Sequence, residues 1–329
     1  MATPRSQLVD PDHALFYHIG SGCVRGAWLC GLDQVTGRDY SYRKAWFEER
    51  LYHLAQYFAI ELYAFVIMSN HFHLIVYYDP LAGLAWSDVE VVKRWLGAFP
   101  PKRKTSKLKK IRAAMLKDPE KIAKCRAQLG SLSAFMQNLK QPIAWRANKE
   151  DGVRGHFFED RFYSGALLSE EAVLASMAYV DLNPIRAKIT QSIEQCEHTS
   201  IRNRLQALEN SAERLEQWLH PLVSGLEQAP HEDGAKECDD AGNTPHQETP
   251  AHVPAMTLES YIEHLQILIA ADDPANKKRL PPKKHLWIQR VTSLKPRQRA
   301  YGNDEQLRAW ASKRGFRSKE RPLDAAPSG

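Results

Sequence analysis

Two histidines one residue apart, His71 and His73, lie within the apolar segment AFVIMSNHFHLIV at residues 64 to 76. β-Branched and aromatic residues favour strands here, and Ser69-Asn70 interrupts the run, so the segment predicts two antiparallel strands joined by a tight turn. Because side chains alternate along a strand, His71 and His73 share one face and Phe72 points to the other. Such a hairpin requires a larger sheet in which to pack.

The histidine pair also indicates a type of chemistry. Imidazole nitrogens in a buried strand need a hydrogen-bond partner or a metal. Same-face neighbours lie about 7 Å apart along a strand, and two imidazoles angled toward each other can reach one cation. With an amide or carboxylate oxygen and water, the pair makes an open site for a divalent metal. The alternative is two histidines that each bond a backbone carbonyl.

The segments around the hairpin predict an α+β fold. HALFYHIGSG reads as a strand, and apolar spacing predicts a helix from about 43 to 58. Further helices are predicted after Ser87, through SLSAFMQNLKQPIAWRAN with a kink or an end at Pro142, and from Ser169 to the residues before Pro184. GHFFEDRFYSGALL reads as a strand. This order fits one antiparallel sheet covered by helices.

Charge is distributed unevenly along the chain, although the formal net charge is only +6. Residues 102 to 126 hold eleven basic and two acidic side chains, and residues 277 to 321 hold fifteen and three. Between these blocks, residues 227 to 248 hold seven acids and one Lys. Basic blocks indicate a polyanion binder, and solvated surface is the alternative. We predict a domain at 1–222 with a basic insertion at about 100–128, a disordered acidic linker at 223–256, and a helical, basic, partly disordered tail at 257–329.

The five cysteines are odd in number and have no C-x-x-C spacing, so neither a disulfide framework nor a thiolate zinc site is predicted. No apolar run approaches the roughly 20 residues that cross a bilayer, and the first residues do not read as a signal peptide. We therefore expect a cytoplasmic protein with no membrane partner.

The hairpin YAFVIMSNHFHLIVYYDP resembles the His-hydrophobic-His strand of the HUH endonuclease superfamily, and especially that of single-tyrosine transposases of the REP-associated type. SAFMQNLKQPIAWRAN, GHFFEDRFYSGALL and YVDLNPIRAKI resemble later blocks of that family in the same order, so the likeness extends over residues 12 to 205. It implies a ferredoxin-like sheet and a single-stranded or hairpin DNA partner in the bacterial cytosol, near the nucleoid. It also implies Mg²⁺ or Mn²⁺ held by His71 and His73, a covalent tyrosine–DNA link, and a monomer or homodimer.

The sequence departs from this family at the nucleophile. The resemblance places the tyrosine on the helix that matches FMQNLKQPIAWRAN, but residues 143 to 146 are Ile, Ala, Trp and Arg. Tyr163 and Tyr179 are the nearest substitutes in the sequence. The alternative role of Tyr179 is packing in the core, and that of Tyr163 is packing or a contact with phosphate. Without a nucleophile, a metal could activate water, or the protein could be a catalytically silent DNA-binding protein or regulator derived from a transposase. An unrelated small-molecule or RNA role is the third reading.

The resemblance also implies a third metal ligand, from an amide or acid side chain. On the helix the polar candidates are Gln137, Gln141 and Asn148, of which Asn148 lies nearest to the family's asparagine at the helix end, and Glu159 in FFEDRF is an alternative carboxylate. A helix cap is the other role open to Asn148.

Several basic side chains are expected to bind DNA phosphates, because a guanidinium offers forked donors and keeps its charge. For Arg186, a structural pair with Asp181 is the alternative. The expected DNA contacts are Arg154, Arg161, Arg186, Lys109, Lys110 and Arg112.

Overall fold

The structure is a computed structural model. It describes residues 4–101, 107–159, 161–210, 218–222, 256–272, 282–294, 297–317 and 319–324. Most of the predicted linker, at 223–255, and part of the basic insertion, at 102–106, lie outside the described residues.

The centre of the fold is a five-stranded sheet. Its strands are Leu15–Gly22 (β1), Ile60–Ile67 (β2), His71–Tyr78 (β3), Tyr163–Leu167 (β4) and Ala300–Tyr301 (β5), in the order β2-β3-β1-β4-β5. Strands β1 to β4 pair antiparallel, whereas β5 pairs parallel with β4. The predicted α+β class is confirmed. The sheet is mixed rather than wholly antiparallel, because a C-terminal segment that sequence analysis treats as tail adds the fifth strand.

Twelve α-helices are described around this sheet. They are Arg5–Leu8 (α1), Arg43–Ala55 (α2), Asp88–Ala98 (α3), Leu108–Met115 (α4), Pro119–Leu129 (α5), Leu132–Asp151 (α6), Glu170–Asp181 (α7), Asn183–Arg186 (α8), Ser200–Asn210 (α9), Leu258–Ala270 (α10), Pro282–Ser293 (α11) and Asp304–Lys313 (α12). Ser87 and Ser169 cap α3 and α7 through their side chains, because each accepts a bond from the third backbone N–H that follows it.

The two faces of the sheet carry different cores. We call one the histidine face, since His18, His71 and His73 project from it, and the other the opposite face, from which Ile19 and Phe72 project. Helices α2 and α6 contribute to the core on the opposite face. Helices α7, α10 and α11 contribute to the core on the histidine face. The side on which a helix packs therefore decides whether its residues can reach the histidines.

Helix α6 continues through Pro142, so of the two predicted alternatives, a kink or an end, the end does not occur there. Proline at this position removes the N–H that would bond the carbonyl of Asn138. That carbonyl accepts a bond of 3.1 Å from Arg50 Nε on α2 instead. The neighbouring helix thus replaces the lost bond and lets α6 run on across the opposite face.

The C-terminal region docks on the domain through a buried polar network. Asp181, at the end of α7, is fully buried and accepts bonds from the backbone N–H of Ile201 at 2.8 Å and from the hydroxyl of Tyr261 at 2.7 Å. Ser200 donates to the same carboxylate at 2.5 Å. Helices α7, α9 and α10 are held together at this carboxylate.

Replacing Tyr261 with phenylalanine tests this docking. The substitution removes one donor from a fully buried carboxylate, so we expect the free energy of unfolding to fall by about 1 to 3 kcal/mol in urea denaturation. Tyr52→Phe is the matched control, because Tyr52 is half-buried and its hydroxyl has no hydrogen bond among the described residues. There we expect a change below about 0.5 kcal/mol. Equal losses in the two variants would contradict the docking.

Candidate active site

The histidine pair occupies the start of β3 as the two-residue period predicts. His71 and His73 lie on the histidine face with their ring centroids 5.0 Å apart, while Phe72 is buried in the core on the opposite face. Asn70, in the hairpin turn, anchors the first ring: its Oδ1 lies 2.7 Å from His71 Nδ1 and its Nδ2 donates to the carbonyl of Gly26. Because an amide oxygen only accepts, His71 Nδ1 is the donor, and Nε2 is the unprotonated nitrogen of the neutral ring.

A third histidine, His18, joins the pair from β1. In the β1–β3 register, Gly20 lies opposite His73 and His18 lies opposite Ile75, which places His18 on the same face. His18 Nε2 lies 3.0 Å from His73 Nδ1, and His18 is only 3% exposed. Sequence analysis missed His18. The available signal is LFYHIGSG, in which His18, Gly20 and Gly22 alternate onto one face of a strand.

Glycines make room for these rings. A Cβ on Gly20 would lie 2.9 Å from His73 Nδ1, and one on Gly165 would collide with the hydroxyl of Tyr163, the carbonyl of Gln298 and the ring of Tyr301. Gly165 lies opposite His18 in the β1–β4 register. Both positions therefore exclude side chains, and the aromatic and imidazole rings fill the space above the strands.

Burial keeps the histidines neutral. It lowers the pKa of His18 to about 3. Burial, and then the neighbouring His18 and His71, hold the pKa of His73 well below its ordinary value. Burial also lowers the pKa of His71. Neutral imidazole is the form that binds a metal.

Tyr179 lies over this cluster from α7. Its ring centroid is 5.9 Å from those of both His18 and His73, and the residue is half-buried. The Cζ atom of Arg186, on α8, lies 4.8 Å from the centre of the Tyr179 ring. Asn183 and Pro184 start α8 directly after α7, so one turn brings the guanidinium back over the tyrosine. The phenol, the cation and the histidine pair thus meet at one place.

Tyr163 reaches the same cluster but has a different environment. Its ring meets His18 edge to face with 5.7 Å between centroids. Its hydroxyl lies 2.6 Å from that of Tyr301 and also bonds the backbone carbonyl of Gln298. Burial raises the pKa of Tyr163 well above that of a free phenol, and the neighbouring Tyr301 adds to the shift.

Glu159 and Asn148, two of the predicted candidates for a third ligand, lie in different positions. Glu159 follows the bridge between Cys23 and Phe158, and its carboxylate carbon lies 3.5 Å from the place of a Cβ on Gly22, the register partner of His71. The carboxylate is paired with Arg297 at 2.9 Å. Asn148 belongs to α6, on the opposite face, and its amide donates to the carbonyl of Gly155 at 2.8 Å. Glu159 is thus close to the end of β3 that carries His71.

Helix α6 lies on the far side of the sheet from the histidine pair. Ile143, one of the positions where the resemblance places a nucleophile, is buried in the core on the opposite face. Trp145 is 66% exposed and borders a cleft of about 360 Å³, to which Gln141, Asn148 and Glu159 also contribute. Ile143 is therefore part of the core on the opposite face and does not lie on the face that carries the histidines.

The predicted DNA contacts spread over several surfaces. Arg186 is exposed beside Tyr179. Arg154 and Arg161 are exposed in the segment between α6 and β4. Lys109, Lys110 and Arg112 are exposed on α4, whose buried Met115 belongs to the core of the opposite face. Arg297, which sequence analysis missed, lies close enough for its charge to contribute to the lowered pKa of His73. The structure therefore brings Arg186 and Arg297 to the histidine cluster.

The donor set fits a divalent cation in its chemistry. Two neutral imidazoles lie side by side, and Nδ1 of each is held by a neighbouring side chain, Asn70 or His18. Such bonds to the far ring nitrogen orient metal-ligating histidines. Among the described residues, no group of three His, Cys, Asp or Glu is spaced to hold a metal. A complete ligand shell would thus need Glu159, an amide, water or substrate oxygens.

The neutral histidines predict a stability that depends on pH. The unfolded chain takes up protons below about pH 6.5, whereas buried His18 and His73 do not, so stability is lost as the pH falls. We expect the free energy of unfolding to fall between about pH 6.5 and pH 5, by at most about 1.4 kcal/mol per pH unit for each histidine. Urea denaturation across this range measures the slope. His18→Phe should have a shallower slope, and an unchanged slope would contradict the burial of a neutral His18.

Within the described residues, we find no helix that is both long and apolar enough to cross a membrane.

Comparison with known proteins gives one similar solved structure. None of the protein-family models matches the chain, and no curated protein matches it. The solved structure is described as the structure of the REP-associated tyrosine transposase bound to a REP hairpin. Its TM-score is 0.34 at 10% sequence identity, over 58% of this chain and 79% of that one. A TM-score of this size assigns the chain to no family.

Proposed function

We propose that the protein is a metal-dependent DNA strand-cleaving enzyme of the HUH type, with Tyr179 as its nucleophile and single-stranded or hairpin DNA as its substrate. The observation that carries the proposal is the meeting of His71, His73 and Tyr179 on the histidine face. The motif resemblance and the antiparallel strand order β2-β3-β1-β4, which is that of a ferredoxin-like sheet, agree with it.

In this proposal His71 and His73 hold Mg²⁺ or Mn²⁺, with Glu159 as the carboxylate nearest to them. The cation would offset the charge that develops on the oxygens of the scissile phosphate. To bind the cation, the carboxylate of Glu159 has to break its ion pair with Arg297. Arg297 would then be available to the substrate phosphate, as a guanidinium suited to forked bonds with its oxygens.

Tyr179 is favoured over Tyr163 by exposure and hydrogen bonding. Tyr163 holds its hydroxyl against Tyr301 and Gln298, and its raised pKa opposes ionisation. Tyr179 is half-buried and lies beside the exposed guanidinium of Arg186. A guanidinium at that position can bind the oxygens of the phosphate that the phenol attacks.

The reaction follows from this arrangement. The Tyr179 oxygen forms a bond to phosphorus as the bond from phosphorus to O3′ breaks. The phenolic proton leaves to solvent, and the departing O3′ takes up a proton. The products are a 5′-phosphotyrosine link and a free 3′-OH. Because the link conserves the energy of the phosphodiester, the reverse reaction can join the strand to another 3′-OH.

Phenylalanine substitutions test the nucleophile. The protein is incubated with a labelled library of DNA hairpins and Mn²⁺, and adducts that survive denaturation are counted. We expect the native protein and Tyr163→Phe to form the adduct and Tyr179→Phe to form none, because only Tyr179 supplies the attacking oxygen.

Three other outcomes would contradict this assignment in different ways. An adduct that persists in Tyr179→Phe and disappears in Tyr163→Phe would name the other tyrosine. Nicks without an adduct would indicate metal-activated water. Binding without cleavage would indicate a catalytically silent DNA-binding protein, a reading with which the pairing of Glu159 to Arg297 agrees.

Removal of the imidazoles tests the metal. His71→Ala and His73→Ala should each abolish cleavage while DNA binding changes little, because phosphate contacts come mainly from arginines. Addition of a chelator to the native protein should give the same result. His53→Phe is the control, since His53 lies on α2 and bonds the carbonyl of Ala98. Full cleavage by His71→Ala or in excess chelator would rule out the metal site.

A further inference from the structure

His18 contributes a buried, uncharged ring to the histidine face but is almost completely shielded from solvent. It is 3% exposed, and its Nε2 lies 3.0 Å from Nδ1 of His73. Rings of Tyr163, Tyr179 and Tyr301 surround it with centroids 5.7 to 6.0 Å away. A residue this enclosed cannot touch a phosphate. Its one polar contact from Nε2 is with a proposed metal ligand.

Two neutral imidazoles share one proton in such a bond. If His18 donated from Nε2, His73 would accept at Nδ1 and carry its own proton on Nε2, the nitrogen that would otherwise be available to a cation. If His73 donates from Nδ1, its Nε2 is unprotonated. The direction of this single hydrogen bond therefore decides whether His73 can be a ligand.

The surroundings of both rings favour the second arrangement. Nδ1 is the nitrogen of His73 that faces β1, only 2.9 Å from the place of a Cβ on Gly20, and Nε2 of His18 meets it at 3.0 Å. With Nδ1 turned to β1, Nε2 is the nitrogen of His73 that is left for a cation.

The other nitrogen of His18 points the same way. Its Nδ1 is buried without a hydrogen-bond partner among the described residues, and three tyrosine rings surround the imidazole. An N–H tolerates the negative face of an aromatic ring, whereas a lone pair is repelled by it. His18 thus carries its proton on Nδ1 and presents a lone pair on Nε2 to His73.

We propose that His18 is a positioning residue, which accepts the Nδ1–H of His73 and thereby keeps Nε2 of His73 unprotonated for a divalent cation. It does for His73 what Asn70 does for His71, where an amide oxygen accepts the Nδ1–H. Only the part of the inference that concerns the divalent cation rests on the proposed function. The tautomer of His73 is a property of the metal-free protein.

The test measures tautomer and metal affinity separately, on the full chain at neutral pH. Ring ¹⁵N NMR of histidine-labelled protein identifies the protonated nitrogen of His73, and electron paramagnetic resonance of free Mn²⁺ gives the affinity. His18→Phe keeps a ring but removes the acceptor. His18→Gln restores an acceptor at about the same reach. His53→Phe is the control, because it removes an imidazole from α2 on the opposite face.

We expect Nδ1–H on His73 in the native protein, in His18→Gln and in His53→Phe. In His18→Phe we expect Nε2–H to appear and the Kd for Mn²⁺ to rise about 10- to 100-fold. A proton on Nε2 of His73 in the native protein would overturn the inference. So would His18→Phe with native tautomer and native affinity.

Two further outcomes separate this inference from the proposed function. If the tautomer changes in His18→Phe but no variant, nor the native protein, binds Mn²⁺, the orienting role of His18 stands and the metal-dependent function fails. If His18→Phe does not fold, the tautomer of the native protein and the affinity of His18→Gln still decide the matter, since a loss of affinity in His18→Gln with Nδ1–H retained would overturn the inference.

Discussion

The pairing of β1 with β3 is the constraint on which the rest of the site depends. Its register puts Gly20 opposite His73 and thereby leaves space for the imidazole over β1. The same register places His18, two residues before Gly20 on β1, within hydrogen-bonding distance of His73. A slip of one residue would turn His18 to the opposite face. The site is therefore a consequence of strand pairing before it is a consequence of any single side chain.

Part of this arrangement could be read from the sequence. The two-residue period of a strand predicts the shared face of His71 and His73, and the serine caps predict the starts of α3 and α7. These features are local, and each depends on residues within one element. The contribution of His18 depends on register between strands 55 positions apart in the chain, which periodicity does not reveal. The choice of the face on which α6 packs likewise depends on contacts between residues that are far apart in the chain.

In the C-terminal region, too, the sequence does not reveal which residues pack on the sheet. The sequence predicts a helical, basic, partly disordered tail there, and it does not reveal that Tyr301 extends the sheet or that Tyr261 bonds the buried Asp181. Both tyrosines act through burial and hydrogen bonding, which net charge does not report. Arg297 is a basic residue of that region whose charge reaches His73 and whose side chain pairs with Glu159. Arg297, which composition alone would place on the solvated surface, therefore contributes to the electrostatics of the histidine cluster.

The most direct test of this account is the position of a bound metal. Crystals of the protein grown with Mn²⁺ and measured for anomalous scattering would locate the ion without reference to activity. The account predicts an anomalous peak within coordination distance of Nε2 of both His71 and His73, on the side of the sheet that carries Tyr179. A peak at any other place, or none at a concentration that supports cleavage, would contradict it.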